Sequence, residues 1–170
     1  MYKIFAYPFG NPNDKRLIYA PNNRNALVLS PKLTREVSKG GSLSFTMTRD
    51  HEQYESLQKM STCISVEQDD KEIWRGRVLS HEADWYNRRV IYCEGALSYF
   101  NDSAITPFNY EGKLAQFLQH LIDAHNQQCG SMKMKRFELG TVTAALGDLV
   151  VHYGDRDSYG VGEDYGSTWD

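Results

Sequence analysis

Thr62-Cys63-Ile64-Ser65-Val66-Glu67, the pair Asp69-Asp70 and the run from Glu72 to Ala83 are the stretch on which the fold turns. Thr62, Ile64 and Val66 alternate with Cys63, Ser65 and Glu67, the period-2 pattern of a strand with two different faces. Asp69-Asp70 supplies a polar turn, and Glu72 to Ala83 returns as a long strand. A second turn at Tyr86-Asn87-Arg88 leads into a strand from Arg89 to Glu94. Gly76, between Arg75 and Arg77, is expected to mark a bulge where the sheet bends. Short antiparallel strands with one bent long member imply a mainly β, α+β chain. The expected architecture is a small curled antiparallel β-barrel, then an amphipathic helix and the start of a second domain.

Upstream, Tyr2 to Tyr7 reads as a short aromatic-rich strand closed by Pro8 and the turn residues that follow. Ala26 to Leu29 is a brief apolar run. Ser42 to Thr48 alternates, with Leu43, Phe45 and Met47 on one face, and the Gly40-Gly41 pair opens it. Glu52 to Lys59 reads as one or two helical turns, with Asp50 as the capping candidate and Tyr54 and Leu57 facing inward. Downstream, residues 97–102 read as a short helical turn. Leu114, Phe117, Leu118, Leu121, Ile122 and His125 then form one apolar stripe, which predicts a helix over about 113–127. Glu111 near its start suits the helix dipole, and Gly130 and Ser131 lie beyond its end. Lys135 to Leu139 and Gly147 to His152 look strand-like, and a Gly-rich acidic loop follows. The expected division is 1–105 as a β-barrel-like domain and 106–170 as the helix, strands and loop. Ser167-Thr168-Trp169-Asp170 resembles a helix start, so the chain reads as the front part of a longer protein.

Of 170 residues, 41% are hydrophobic, 24% charged and 12% aromatic, enough apolar material for one sizeable core. The 19 basic and 22 acidic side chains give a net charge of −3, which argues against a general nucleic-acid binder. The charge is uneven. Residues 1–100 carry 14 basic and 12 acidic side chains, residues 101–170 carry 5 and 10. No apolar run approaches ~18 residues, so no stable membrane insertion is expected, and the start lacks the apolar core of a signal peptide. Three widely spaced cysteines, Cys63, Cys93 and Cys129, fit reduced thiols in a protein made in the cytoplasm.

The residues that carry chemistry do not assemble into a recognisable site. His120 and His125 are five apart and do not share the i, i+4 face of a zinc helix. His125, on the apolar stripe, reads as a hydrogen-bonded core residue. His81, Glu82 and Asp84 read as a solvated sheet face. There is no nucleophile elbow, and Cys63 and Cys93 read as small hydrophobes within strands. Gly160-Val161-Gly162 lacks the rest of a nucleotide fingerprint, and its acidic surroundings would repel phosphate. Those acids also lack the spacing of a calcium loop. No catalytic residue, cofactor or metal site is therefore expected.

An interaction surface is the better reading. Trp74, Arg75, Arg77, Trp85, Tyr86, Arg88 and Arg89 mix aromatics with arginines across the meander, a mixture enriched at protein interfaces. The same mixture also builds single-strand platforms, a reading that the near-neutral charge disfavours. Trp85-Tyr86 in a turn points to a docking surface.

Several words of the sequence are familiar in order and spacing. They are Gly41-Ser42-Leu43-Ser44-Phe45-Thr46, His51-Glu52-Gln53-Tyr54, Ile73-Trp74-Arg75-Gly76-Arg77-Val78-Leu79, Cys93-Glu94-Gly95-Ala96-Leu97-Ser98-Tyr99-Phe100-Asn101-Asp102-Ser103, Leu121-Ile122-Asp123-Ala124-His125-Asn126 and the terminal Ser167-Thr168-Trp169-Asp170. Together they resemble the N-terminal region of siphophage tail proteins of the prophage endopeptidase-tail, or tail-associated lysin, family. That family is similar in architecture to the baseplate hub protein of contractile tails. The resemblance covers most of residues 38–130 and the terminus.

It implies a virion structural protein at a phage or prophage tail tip, synthesised in the host bacterial cytoplasm. It also implies a homotrimer forming a ring under the tail tube, against the distal tail protein ring and other tail-tip proteins. Genomic DNA would be only a passing cargo, and any hydrolase or host-binding module would lie downstream. A sheet edge would be available for strand pairing between neighbours. Asp155, Asp157, Glu163 and Asp164 would face the channel and repel passing DNA. The alternatives are a peptidoglycan-degrading tail lysin and a cytoplasmic protein-binding module.

Overall fold

The alternation from Thr62 to Glu67 does form a strand, but that strand is buried on both faces from Thr62 to Val66 rather than on one. A computed structural model describes residues 1–144 and 147–153. Seven strands form one antiparallel sheet: β1 (Tyr2–Pro8), β2 (Arg16–Tyr19), β3 (Leu29–Thr34), β4 (Ser42–Met47), β5 (Thr62–Gln68), β6 (Lys71–Ala83) and β7 (Arg89–Gly95). Their order is β2-β1-β5-β6-β7-β4-β3. The sheet curls into a half-barrel whose two edges are β2 and β3. The chain divides into two compact units, Met1–Ser98 and Tyr99–Asp170.

The meander forms as the alternation dictates. Asp69 and Asp70 both have positive φ, 51° and 61°, and Gln68 pairs with Lys71, so β5 and β6 are joined by a two-residue hairpin turn of primed type. Gly76 is not a bulge. It is in register with Ile64 on one side and Gly95 on the other. The ladder shifts instead between Val66 and Glu67 against β5, and between Val78 and Ser80 against β7. Glycine is needed at 76 for space: a Cβ there would lie 2.1 Å from the Glu94 carbonyl oxygen and 2.5 Å from the Trp74 ring. The bend therefore comes from two irregularities that flank a close approach.

Leu43, Phe45 and Met47 of β4 face inward with Ile4, Ile18, Ile64, Val78, Ile91 and Cys93. The segment between β4 and β5 adds Tyr54 and Leu57 to that core, as their spacing implies. It does so without an α-helix. Its bonds run from His51 N–H to the Thr48 carbonyl, Tyr54 N–H to His51 and Ser56 N–H to Gln53, a chain of turns. His51 rather than Asp50 meets the Gln53 N–H: its Nδ1 accepts that bond at 3.0 Å. Nε2 therefore carries the ring proton and donates to the Ile18 carbonyl at 2.9 Å, tying this segment to the β2 edge.

Both sheet edges carry features that discourage strand addition. β2 has only four residues and includes Arg16. β3 carries Pro31 and Lys32, and Ser30 has φ 49° at the point where the ladder with β4 slips. Neither strand stood out in the sequence.

In the second unit, β8 (Phe108–Gly112) pairs antiparallel with β9 (Leu149–Tyr153), and α1 spans Leu114–Gln128. The helix matches its apolar stripe, but Glu111 lies in β8, opposite Val150, and the first helical turn holds no acid. Lys135 to Leu139 is not a strand. A 3₁₀ turn covers Lys133–Lys135, and Phe137 takes its backbone partners from Asn126 of α1: its N–H donates to Oδ1 at 2.9 Å and its carbonyl accepts from Nδ2 at 2.8 Å. One side-chain amide thus replaces a ladder. His125 is 1% exposed and stands at the centre of this unit. Nε2 lies 2.9 Å from the Lys135 carbonyl, Nδ1 lies 2.8 Å from the Ser103 hydroxyl, and the ring packs on Phe100 and Phe137.

Candidate interaction surface

The β6–β7 hairpin carries the aromatic and arginine residues singled out above, and the structure sorts them by strand face. Trp74 points inward and is 7% exposed, donating its indole N–H to the Gly40 carbonyl at 3.0 Å. Arg77 is 3% exposed, with Nε 2.6 Å from Glu94 Oε1. These two belong to the interior, where they hold neighbouring strands together. Arg75 is exposed and paired with Glu72 at 2.9 Å. The seven residues therefore do not form one patch.

What remains at the surface is the hairpin tip. Trp85 is 95% and Tyr86 76% exposed. The turn that displays them is organised by Asp84. Its Oδ1 accepts from the Tyr86 N–H at 2.8 Å and the Arg88 N–H at 2.9 Å, and its Oδ2 accepts from Arg88 Nε at 2.7 Å. The Arg88 amide bond, followed by the Arg88 side chain and the Tyr86 amide, holds the Asp84 carboxyl below the usual range. Asn87, with φ 56°, closes the turn, and the Arg88 guanidinium lies 5.2 Å from the Tyr86 ring centroid. Arg89 secures the base of the tip. It donates to the Tyr54 carbonyl at 2.8 Å, pairs with Glu55 at 2.8 Å and lies 4.2 Å from the Tyr54 ring centroid. The Tyr54 hydroxyl in turn donates to the Asn87 carbonyl at 2.7 Å.

The outer face of β7 continues this surface. Val90 and Tyr92, 47% and 42% exposed, alternate with the fully buried Ile91 and Cys93. Val90 stands in one row with Thr46 and Leu29 of the neighbouring strands. The sequence signal for this outer row is a strand with apolar residues on both faces, Val90 and Tyr92 on one and Ile91 and Cys93 on the other.

The other candidates resolve as structural. His81 and Glu82 are exposed on β6, as a solvated face requires. Cys63 and Cys93 are wholly buried, and burial pushes the Cys93 thiol up. The Tyr7 hydroxyl is pushed up to about 12, chiefly by burial. A cleft in the first unit opens between the end of β1 and the segment that leads into β5, lined in part by Tyr7, Pro8, Arg16, Ser61 and Thr62. Among the described residues no group of three or more His, Cys, Asp or Glu side chains is placed to hold a metal. No described helix is long and apolar enough to cross a membrane. Asp155, Asp157, Glu163, Asp164, the Gly-rich loop and Ser167 to Asp170 lie outside the described residues.

No family model matches the chain, and no curated protein matches it. Among solved structures, the fold is similar to that of prophage tail protein gp18 from Listeria monocytogenes EGD-e. The TM-score is 0.56 at 14% identity, over 89% of this chain and 41% of that one. It is also similar to the tail protein from Neisseria meningitidis MC58, with a TM-score of 0.48 at 11% identity over 72% and 33%. The chain thus spans well under half the length of either protein. At 14% identity, the likeness to the Listeria tail protein is one of fold.

Proposed function

We propose that this chain is a structural component of a bacteriophage or prophage tail, placed at the tail tip as part of a baseplate hub. In this reading it is a virion protein that assembles with copies of itself, as a trimer, into a ring under the tail tube. It meets the distal tail protein ring and other tail-tip proteins, links the tube to host-binding or wall-degrading parts, and lets genomic DNA pass. Its role is assembly rather than catalysis.

The observation that carries the reading is the fold shared with the Listeria prophage tail protein. The sequence words from Gly41 to Asn126 point the same way. The stiff, exposed Trp85-Tyr86 tip is a further support, because large exposed aromatics on an ordered turn suit a partner surface.

Gradient-purified particles from the cell that encodes the chain provide the test. Quantitative peptide mass spectrometry should find the chain at a few copies per particle, and an in-frame deletion should leave capsids without complete tails. Complete, infective particles from the deletion strain would refute the reading. Clearing of cell-wall suspensions by the purified chain would favour the tail-lysin alternative.

A further inference from the structure

We propose that Trp85 and Tyr86 form a knob that seats in the cleft of a second copy of this chain, giving a head-to-tail contact. The cleft has a volume of about 270 Å³. That is at the small end of pocket sizes, which begin at roughly 300 Å³ for drug-sized ligands, and leaves room for one large side chain. Pro8, exposed at the end of β1, supplies its accessible apolar wall over the buried Tyr7, Gln58 and Ser61 add polar groups, and Arg16, exposed and paired with Asp14, also lines it. An indole fits those surroundings: its body packs on Pro8, and its negative face meets the guanidinium. Shape and charge agree.

The knob is ready to bind. Asp84 and Arg88 fix the turn before any partner arrives, so little ordering free energy is lost on contact. Trp, Tyr and Arg are also the side chains that dominate binding energy at interfaces. Strand pairing is a poor competing route to self-association, because Pro31, Lys32 and the slip at Ser30 guard β3.

Knob and cleft are different surfaces of one chain, so the contact is heterologous and repeats from copy to copy, closing into a ring when the rotation allows. Thr62, at the start of β5, pairs with Pro8 at the end of β1. β6 runs past that level from Val78 to Ala83 and into the tip, so both features lie toward the same end of the sheet. The inference leans on the proposed function only for ring closure; the contact stands on the two surfaces themselves.

Three forms of the full 170-residue chain test it: wild type, Trp85→Ala with Tyr86→Ala, and Ser61→Arg, which fills the cleft from an exposed position. Sedimentation velocity over a concentration series should show wild-type oligomers. Each variant should be monomeric, with self-association weakened at least tenfold and thermal melting unchanged. Mixed in equal amounts, the two variants should form a one-to-one dimer that neither forms alone, because one keeps the cleft and the other the knob. Oligomers that survive both variants would overturn the knob-and-cleft contact while leaving the ring reading standing. A wild-type chain that stays monomeric would overturn both. Monomeric variants that fail to pair when mixed would overturn the heterologous geometry.

Discussion

Trp74 donates its indole N–H to the carbonyl of Gly40, 3.0 Å away and 34 residues earlier in the chain. The indole ring reaches over Gly76, and beside it the Gly40 and Gly95 backbones meet: a Cβ at Gly95 would collide with the Gly40 carbonyl oxygen, and the Gly95 N–H donates to the Gly41 carbonyl at 3.0 Å. One side chain and two close backbone approaches thus bind the β3–β4 turn to the middle of the sheet.

Gly76→Ala should therefore destabilise the first unit. The added methyl group has no room against Glu94 or Trp74, and overpacking of this kind costs about 1–3 kcal/mol. For a unit of this size the melting temperature should fall by roughly 4–8 °C per kcal/mol, read by circular dichroism. An unchanged melt would show that the slot is looser than described.

Asn126→Ala should loosen the segment after α1. It removes both side-chain partners of the part-buried Phe137 backbone groups, at about 0.5–1.5 kcal/mol for each bond. Hydrogen exchange at the Phe137 amide should accelerate by one to two orders of magnitude while amides in β5 and β6 stay protected. Equal acceleration in both places would contradict a local role.

Acid should release the hairpin tip. The Asp84 carboxyl is held below its ordinary value by the Arg88 and Tyr86 amides and the Arg88 side chain. A group depressed in the folded state stabilises it above the unfolded value, about 3.9, and that contribution is lost as pH falls through the folded value. In a carbon-detected NMR titration, the Asp84 midpoint should lie below 3.9, with the Tyr86 and Arg88 amide shifts moving along the same curve. A midpoint at or above 3.9 would contradict the geometry of the turn.

Thiol labelling should separate the cysteines. Cys63 and Cys93 are buried and Cys129 is partly exposed at the end of α1. Iodoacetamide should label Cys129 first in the native protein, by peptide mass spectrometry, with the other two following only on unfolding. Early labelling of Cys93 would contradict its place in the core.

The part of the fold legible in the sequence is the part with two unlike faces. β4 alternates because one of its faces meets the core; β5 alternates in sequence yet is buried on both faces from Thr62 to Val66, its small Cys63 and Ser65 filling the second face. Asp69-Asp70 is a turn in any context that joins such strands. β2 and β3 were not legible: β2 has only four residues, too few for a pattern, and β3, with four of its six residues exposed, carries no alternation. Glu52 to Lys59 forms a chain of turns rather than regular helix: the spacing of Tyr54 and Leu57 suits either, and what orders the segment is His51 and its long-range bond to Ile18. At the candidate surface, Trp85 and Tyr86 were legible from two large aromatics in a turn. The burial of Arg77 was not, because it depends on neighbours such as Glu94 that are distant in sequence. The cleft at Tyr7 and Pro8 joins three separate segments, and no local pattern announces it.

The central claim is that this chain is built into a tail, at its tip. Immunogold electron microscopy of purified particles, with antibody raised against the 170-residue chain, tests it most directly. Gold confined to the end of the tail distal from the capsid is the expected result. Intact tailed particles that carry no label, while the antibody detects the chain only in the particle-free lysate, would contradict it.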